Sequence, residues 1–423
     1  MSTLKWLVVT ATGVLLVAGC EQKKRDAGGG SAGASGSAGS AAASTGGATP
    51  GVTATEIKIG QTIPYSGPAS AYAVIGKADV AYFKRVNAKG GINGRKVTLI
   101  SLDDGYSPPK AVELTRQLVE NDGVAFIFNS LGTANNSATQ RYLNDKKIPQ
   151  LFVATGADKW GNPSKFPWTM GWQPSYRQEA KIYARYLLKE KPAAKICILY
   201  QNDDFGKDYL AGLKEGFGDQ YDKLVTKTES YETSDPTVDS QIISLHDAGC
   251  DTFINAATPK FAASAIRKIG DIGWKPLHLM SNVSASVTAV IKPAGPDKAI
   301  GIITGAYIKD ASDPAVANDP DLADYRAWIK EYAPELDPSD TNAVYGYGVS
   351  MTLAKVLTQC GNDLSRENIM KQAANLTHFA IPVAPPGIEI NTSPTDYWPF
   401  SQMRLARFTG EHFELFGDVI NAD

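Results

Sequence analysis

Along this chain the spacing of apolar residues switches repeatedly between two periods, and the switches mark out its elements. Short apolar runs at Ile57–Ile63, Lys96–Leu102, Val124–Phe128 and Ile148–Val153 predict strands. Between them, the stretches Ala71–Ala88, Pro109–Asn121 and Ala134–Asp145 predict helices. In the first, Ile75, Ala78, Tyr82 and Val86 fall three and four apart and form one buried face. Ser107 ahead of Pro108-Pro109 reads as a cap followed by residues tolerated in a first turn. A second series follows: helix Arg177–Lys189, strand Lys195–Tyr200, helix Lys207–Gly216, strand Lys223–Ser230, helix Val238–Ala248, strand Thr252–Asn255, helix Phe261–Ile272 and strand Pro276–Met280. Such alternation builds parallel sheets covered on both faces, so the expected class is α/β, with two doubly wound parallel-sheet lobes. The extended segment Phe166–Trp172 joins them and is too short for a disordered linker. Lobes joined so tightly share a cleft, and in open α/β sheets ligands bind in the loops that follow the strands.

The amino end follows different rules. After Lys5 an uncharged run extends from Trp6 to Gly19 and closes in Val17-Ala18-Gly19-Cys20. It is shorter than the ~20 residues needed to span a bilayer, so residues 1–19 read as a signal peptide. The ending resembles a bacterial lipobox, in which the cysteine is acylated and becomes the first mature residue. The plainer alternatives are an ordinary secretory leader with a chance cysteine, or a buried helix. Every residue from Gly28 to Gly51 is Gly, Ala, Ser, Thr or Pro, too little apolar surface to offset conformational entropy. Residues 20–54 are therefore expected to be a lipidated tether reaching on the order of 25–30 Å. The expected location is the periplasm or cell envelope, with a lipid at Cys20 as the sole attachment to a membrane. Matches to GxGxxG (Gly28, Gly30, Gly33) and GxSxG (Gly29, Ser31, Gly33) inside this tether follow no strand and open no helix, so they are accidents of composition.

Composition narrows the function. Among 423 residues, 42 basic and 44 acidic side chains leave a formal charge of −2, which gives no support to a nucleic-acid binder. Four cysteines are too few for a disulfide scaffold, and four histidines (His246, His278, His378, His412) leave little for metal sites or imidazole catalysis. The pairs Asp103-Asp104 and Asp203-Asp204 follow strands and are candidates for acid–base work, but aspartates also end strands and cap helices. No HExxH, GxxxxGK[ST] or strand-linked GxSxG occurs. The expectation is a protein that is not an enzyme and carries no catalytic residue, cofactor or metal.

Two loops remain as the candidate site. Asn129-Ser130-Leu131-Gly132-Thr133 runs from the third strand into a helix, whose free N–H groups and the Thr133 hydroxyl suit a carboxylate; equally, Thr133 is placed to cap its own helix. Ala154-Thr155-Gly156, after the fourth strand, is a second small polar loop beside it. Of the aromatic residues near the expected cleft, Tyr65, Tyr72, Trp160, Phe205, Tyr345 and Tyr347, each reads more readily as core than as a ligand platform, except Tyr72 at the opening of the first helix.

The order of pieces resembles a known family. Ile57-Lys-Ile-Gly-Gln-Thr-Ile-Pro-Tyr-Ser-Gly-Pro68, Asn87-Ala-Lys-Gly-Gly-Ile-Asn-Gly-Arg95, Leu102-Asp-Asp104 and Asp203-Asp-Phe-Gly206 are similar, in order and separation, to the leucine/isoleucine/valine-binding proteins of bacterial ABC importers. The resemblance runs from about Ile57 to Val419. It implies a type I periplasmic-binding-protein fold whose lobes are discontinuous: 55–172 plus 307–400, and 173–306 plus 401–423. It also implies a ligand carboxylate held at Thr133 and at Ala154, Thr155 and Gly156, a pocket lined by Tyr72, and second-lobe contacts from Phe205 and Thr258. Amino-acid binders of the family place an acid after the strand Pro276–Met280; here Asn282 falls at that place. An amide cannot neutralise an ammonium, so the resemblance points to an aromatic or aliphatic acid in preference to a branched-chain amino acid, unless Asp203 or Asp204 reaches across. The lobe-one disulfide of some members would need cysteines near Tyr106 and Gly132, which are absent. Cys197, Cys250 and Cys360 are expected as buried thiols, with Cys197–Cys250 the bridge if one forms. The implied partners are a small carboxylate and the membrane subunits of an ABC permease, the protein itself being a monomer; a sensor ectodomain of the same fold is the alternative.

Overall fold

The computed structural model describes residues 49–421. The expected signal peptide, the expected lipidation site at Cys20 and most of the expected tether lie outside them. The carboxyl end of that tether lies inside: the Lys58 N–H donates to the Gly51 carbonyl at 2.7 Å and Val52 bridges to Ile57, so residues assigned to the tether up to 54 already belong to the folded body.

Two sheets organise that body. The first runs β1 (Glu56–Ile63), β2 (Lys96–Asp103), β3 (Ile127–Phe128), β4 (Gln150–Val153) and β5 (Thr169–Gly171), in the spatial order β2-β1-β3-β4-β5 and parallel throughout. Helix α1 (Ala73–Ala88) buries Ile75, Ala78 and Tyr82 as the spacing predicts, and packs on the distant helix Thr341–Cys360. Helix α2 (Pro108–Arg116) packs against α3 (Thr133–Asp145). Four expectations shift locally. Ser107 stands at the start of α2 without a side-chain cap bond, and the helix widens into a turn at Gln117–Asn121. Of the third apolar run only Ile127–Phe128 is regular strand, although the Ala125 N–H still donates to the Lys58 carbonyl at 2.8 Å and the Phe126 carbonyl accepts from the Gly60 N–H at 3.0 Å; Asn129, at φ 48°, ends the strand where the sequence predicts. The joining segment contributes β5 to the first sheet.

The second sheet has the order β12-β11-β10-β9-β8-β6-β7. Its parallel strands are β6 (Ile196–Gln201), β7 (Val225–Tyr231), β8 (Thr252–Ala256), β9 (Leu277–Met280) and β10 (Ile303–Ala306), and an antiparallel pair, β11 (Gln402–Phe408) and β12 (Phe413–Asn421), completes one edge. The sheet is thus not purely parallel, as the sequence had suggested. Strand β6 reads as an unbroken apolar run because both its faces are covered: Ile196 and Ile198 enter one core cluster, Cys197 and Leu199 the other. The helices α4 (Tyr176–Glu190) and α5 (Asp204–Phe217) pack on each other beside this sheet; α5 begins three residues before its apolar pattern because Asp203 caps it, accepting from the N–H of Phe205 at 3.0 Å and of Gly206 at 3.4 Å.

The cysteines correct one expectation. Cys197 on β6 and Cys250, just ahead of the neighbouring β8, are joined as a disulfide with Cα atoms 5.8 Å apart. Strand pairing brings them together on one face of the sheet, so they are not the buried thiols the sequence suggested. Cys360 is a buried free thiol.

Candidate functional site

The chain leaves β3, turns at Asn129 and enters α3 through Gly132, whose φ of 99° is a left-handed conformation. A Cβ on Gly132 would meet the Tyr106 ring at 2.5 Å, so only glycine lets the loop come this close. Thr133 is the first helical residue and does not cap the helix; no side chain accepts from the first-turn N–H groups. Its hydroxyl lies 2.5 Å from that of Thr155, which in turn is 3.4 Å from the Tyr176 hydroxyl. The two loops chosen from sequence are knitted together, with the Ala154 N–H donating to the Ser130 carbonyl at 2.9 Å.

These loops open into a cavity between the sheets. Tyr72, Thr133, Ala154, Phe205, Thr258 and Asn282 all line it. Thr155 and Gly156 are not among its lining residues: Thr155 backs Thr133, and Gly156 accepts from the Tyr176 N–H at 2.8 Å with no room for a side chain against Pro174. Of the other aromatics weighed from sequence, Tyr345 lines the cavity, while Trp160 and Tyr347 are core. Phe205 stacks near Tyr176, ring centroids 4.6 Å apart, and forms an apolar wall.

Four contacts join segments far apart in the chain, two of them from residues that line the cavity, Tyr72 and Ser286. The Tyr72 hydroxyl donates to the Val283 carbonyl at 3.0 Å, and the Ser286 hydroxyl to Asp340 at 3.1 Å. The Asp158 N–H donates to Asp208 at 2.7 Å, and Lys159 pairs with Asp204 at 2.7 Å. Burial pushes the Asp208 carboxyl up to about 6.

The aspartate pairs do local work. Asp103 accepts from the Ser66 hydroxyl at 2.6 Å and Asp104 from the Asn135 amide at 2.8 Å. Asp203 caps α5 and accepts from Gln201 at 2.8 Å, so neither it nor Asp204 is placed to replace an acid at position 282. Among the described residues Lys309 is the one lysine that lines the cavity, and it is held by Asp319 at 2.7 Å and Asp321 at 3.1 Å. A carboxylate placed at the start of α3 would meet N–H groups and the Thr133 hydroxyl there. Among the described residues no cluster of His, Cys, Asp and Glu is arranged to hold a metal ion; His278 is buried and pushed down to about 3 by desolvation, which keeps it neutral.

Sequence reasoning missed several residues. Gln173 and Asn342 line the cavity, and their amide nitrogens, Nε2 and Nδ2, are buried without a partner among the described residues. Glu179 is fully buried on α4. Its carboxyl is surrounded by the hydroxyls of Tyr183 and Tyr209 (2.6 Å for Tyr209), the Asn282 N–H at 2.9 Å and the Asn282 amide Nδ2; the Tyr183 hydroxyl also lies 2.7 Å from the Met280 carbonyl. Burial pushes this carboxyl above its usual range. A signal existed: Tyr176, Glu179, Ala180, Tyr183 and Leu187 form one buried stripe, and an acid in such a stripe is out of place unless it is bonded.

Comparison with known proteins agrees with this architecture. Residues 56–411 match a family model described as periplasmic binding protein. A Leu/Ile/Val-binding protein homolog 1 from Brucella suis is 23% identical over 324 residues, covering 74% of this chain and 81% of that protein. A branched-chain amino acid ABC transporter from Thermus thermophilus with bound valine superposes with TM-score 0.77 at 16% identity, over 87% of this chain and 97% of that one. A solute-binding protein of an ABC transporter from R. palustris, in complex with benzoate, superposes with TM-score 0.72 at 20% identity, over 86% and 98% of the two chains. At such identities the structural likeness establishes the fold.

Proposed function

Because the chain belongs to the periplasmic binding protein family, whose members bind solutes and are not enzymes, we propose that it captures a small carboxylate-bearing solute by lobe closure and delivers it to an ABC permease. The observation that carries this reading is the uncapped start of α3, with Thr133 beside it, facing a cavity between two lobes. A helix start of this kind presents N–H groups and a partial positive charge to an anion. Its aromatic wall, with Phe205 against Tyr176, suits an apolar solute body. The relatives bound to valine and to benzoate share a carboxylate and little else. A ligand bridging both lobes favours the closed form by its differential contacts, which makes closure a population shift. In this reading Cys20 carries a lipid, residues 55–172 plus 307–400 and 173–306 plus 401–423 form the lobes, and the protein acts as a monomer.

The test is calorimetric titration with leucine, phenylalanine, benzoate and octanoate, guided by thermal shift. A ligand at 100 times its dissociation constant adds about 2.7 kcal/mol of stability. Thr133→Ala removes a hydroxyl partner of a charged group and should weaken binding roughly 10- to 150-fold. Unchanged affinity in a folded variant, or no binding by any carboxylate, overturns the assignment.

A further inference from the structure

A second groove lies just outside the cavity. Ala71 and Pro259 line it, and each is the chain neighbour of a residue that lines the cavity, Tyr72 and Thr258. One wall is the loop 67–71 ahead of α1; the other is a face of the helix Pro259–Asp271, where Lys260 and Arg267 stand seven residues apart and so on the same side. Both cations are exposed. Lys260 Nζ donates to the Asp235 carbonyl at 2.9 Å and Arg267 to the Pro293 carbonyl at 3.1 Å, so each bonds to a neutral acceptor, and among the described residues neither pairs with a carboxylate. The acids of this face are engaged elsewhere. Asp235 accepts from the Glu232 N–H at 2.9 Å, Asp239 pairs with Lys268 at 3.3 Å and Asp271 with Lys298 at 2.6 Å. Two uncancelled like charges in one groove complement an anionic partner. The groove holds only about 290 Å³, at the lower edge of the roughly 300–1,000 Å³ of small-molecule sites, and its cations face solvent. It therefore suits the side chains of a docked segment better than an enclosed solute.

We propose that a partner protein docks in this groove through a loop that presents Asp or Glu side chains to Lys260 and Arg267. The inference rests on the delivery reading above and gives the chemistry of the partner: the acidic loop belongs to the membrane subunit that receives the solute. Because the walls of the groove continue those of the cavity, closure on a solute sets the spacing between the loop 67–71 and the two cations, and the docking surface is complete in the loaded protein.

The test is photo-crosslinking in native cells, with the full chain carrying p-benzoylphenylalanine at Ser70, an exposed residue of the groove, and the adduct identified by peptide mass. The expected adduct is to the membrane subunit of an ABC permease, through a segment that contains Asp or Glu. Its yield should fall at least about tenfold in Lys260→Glu/Arg267→Glu, because like charges set against each other oppose docking, and should stay within about twofold in Lys260→Arg/Arg267→Lys, which keeps both charges. Should the charge-reversed chain fail to fold, Lys260→Ala/Arg267→Ala should lower the yield at least about threefold. No adduct, an adduct to lipid only, an adduct through a segment without acids, or a yield indifferent to charge reversal overturns the proposal and leaves solute capture standing. Affinity for leucine, phenylalanine, benzoate and octanoate should agree within about threefold between the wild-type and charge-reversed proteins; a larger loss assigns the cations to the cavity and overturns the proposal too. Binding of no carboxylate by the wild type removes the capture reading, whereas the adduct decides the docking site by itself.

Discussion

Asp79 offers a way to titrate the first lobe. It lies on α1 with no exposed surface and accepts from Gln61 Nε2 at 2.6 Å, Asn129 Nδ2 at 2.7 Å and the Ser350 hydroxyl at 2.9 Å. These donors come from β1, from the loop leading to Thr133 and from helix Thr341–Cys360, so one carboxyl ties early and late chain together. Burial pushes its pKa from 3.8 to about 7, outweighing the three hydrogen bonds that pull it down. Between those values the folded protein holds a proton that the unfolded chain has released. The folded state binds more protons there, so stability falls as pH rises, and this contribution is gone above about pH 7. Integrating the linkage from pH 5 to pH 8 gives a loss of about 2.5 kcal/mol from this one group. Asp79→Asn cannot titrate. It forfeits one hydrogen bond at every pH but escapes the pH-dependent loss, so its stability relative to wild type should improve by about 2.5 kcal/mol between pH 5 and pH 8. Urea denaturation of both proteins at the two pH values, followed by tryptophan fluorescence, measures that difference of differences and cancels the other titrating groups. A variant-minus-wild-type difference that is the same at both pH values would show that Asp79 is ionised throughout, and the reasoning would fail.

Two further outcomes are expected. Cys20→Ser should release the protein from membranes into the soluble fraction; recovery of the variant with the membranes would refute lipidation at that residue. Replacing Cys197 and Cys250 together by serine opens a loop closed over a sequence separation of 53 residues and should lower stability by about 4 kcal/mol in the chain-entropy account; a urea midpoint equal to that of the wild-type protein would refute the pairing.

Much of the architecture was legible because it is local. The apolar run of β6, the stripe Ile75–Ala78–Tyr82 of α1, and the small polar loops at 129–133 and 154–156 each carry their pattern within a few residues. Period and turn chemistry sufficed to place strands, helices and the loops after them, and thereby to pick out Thr133 and Ala154 as neighbours. Where prediction slipped, a distant partner had intervened. The antiparallel strands β11 and β12 join a sheet whose other strands ended a hundred residues earlier in the chain. The bond between Glu179 and Asn282 spans 103 positions and that between Asp79 and Ser350 spans 271. Cys197 and Cys250 are neighbours only because β6 pairs with β8. Apart from the acid standing in the buried stripe of α4, none of these meetings leaves a periodic trace, since a buried carboxyl or thiol owes its environment to whichever elements fold against it. The identity of Asn282 is written in the chain, but the direction its amide faces, toward the buried carboxyl of Glu179, follows from where α4 packs.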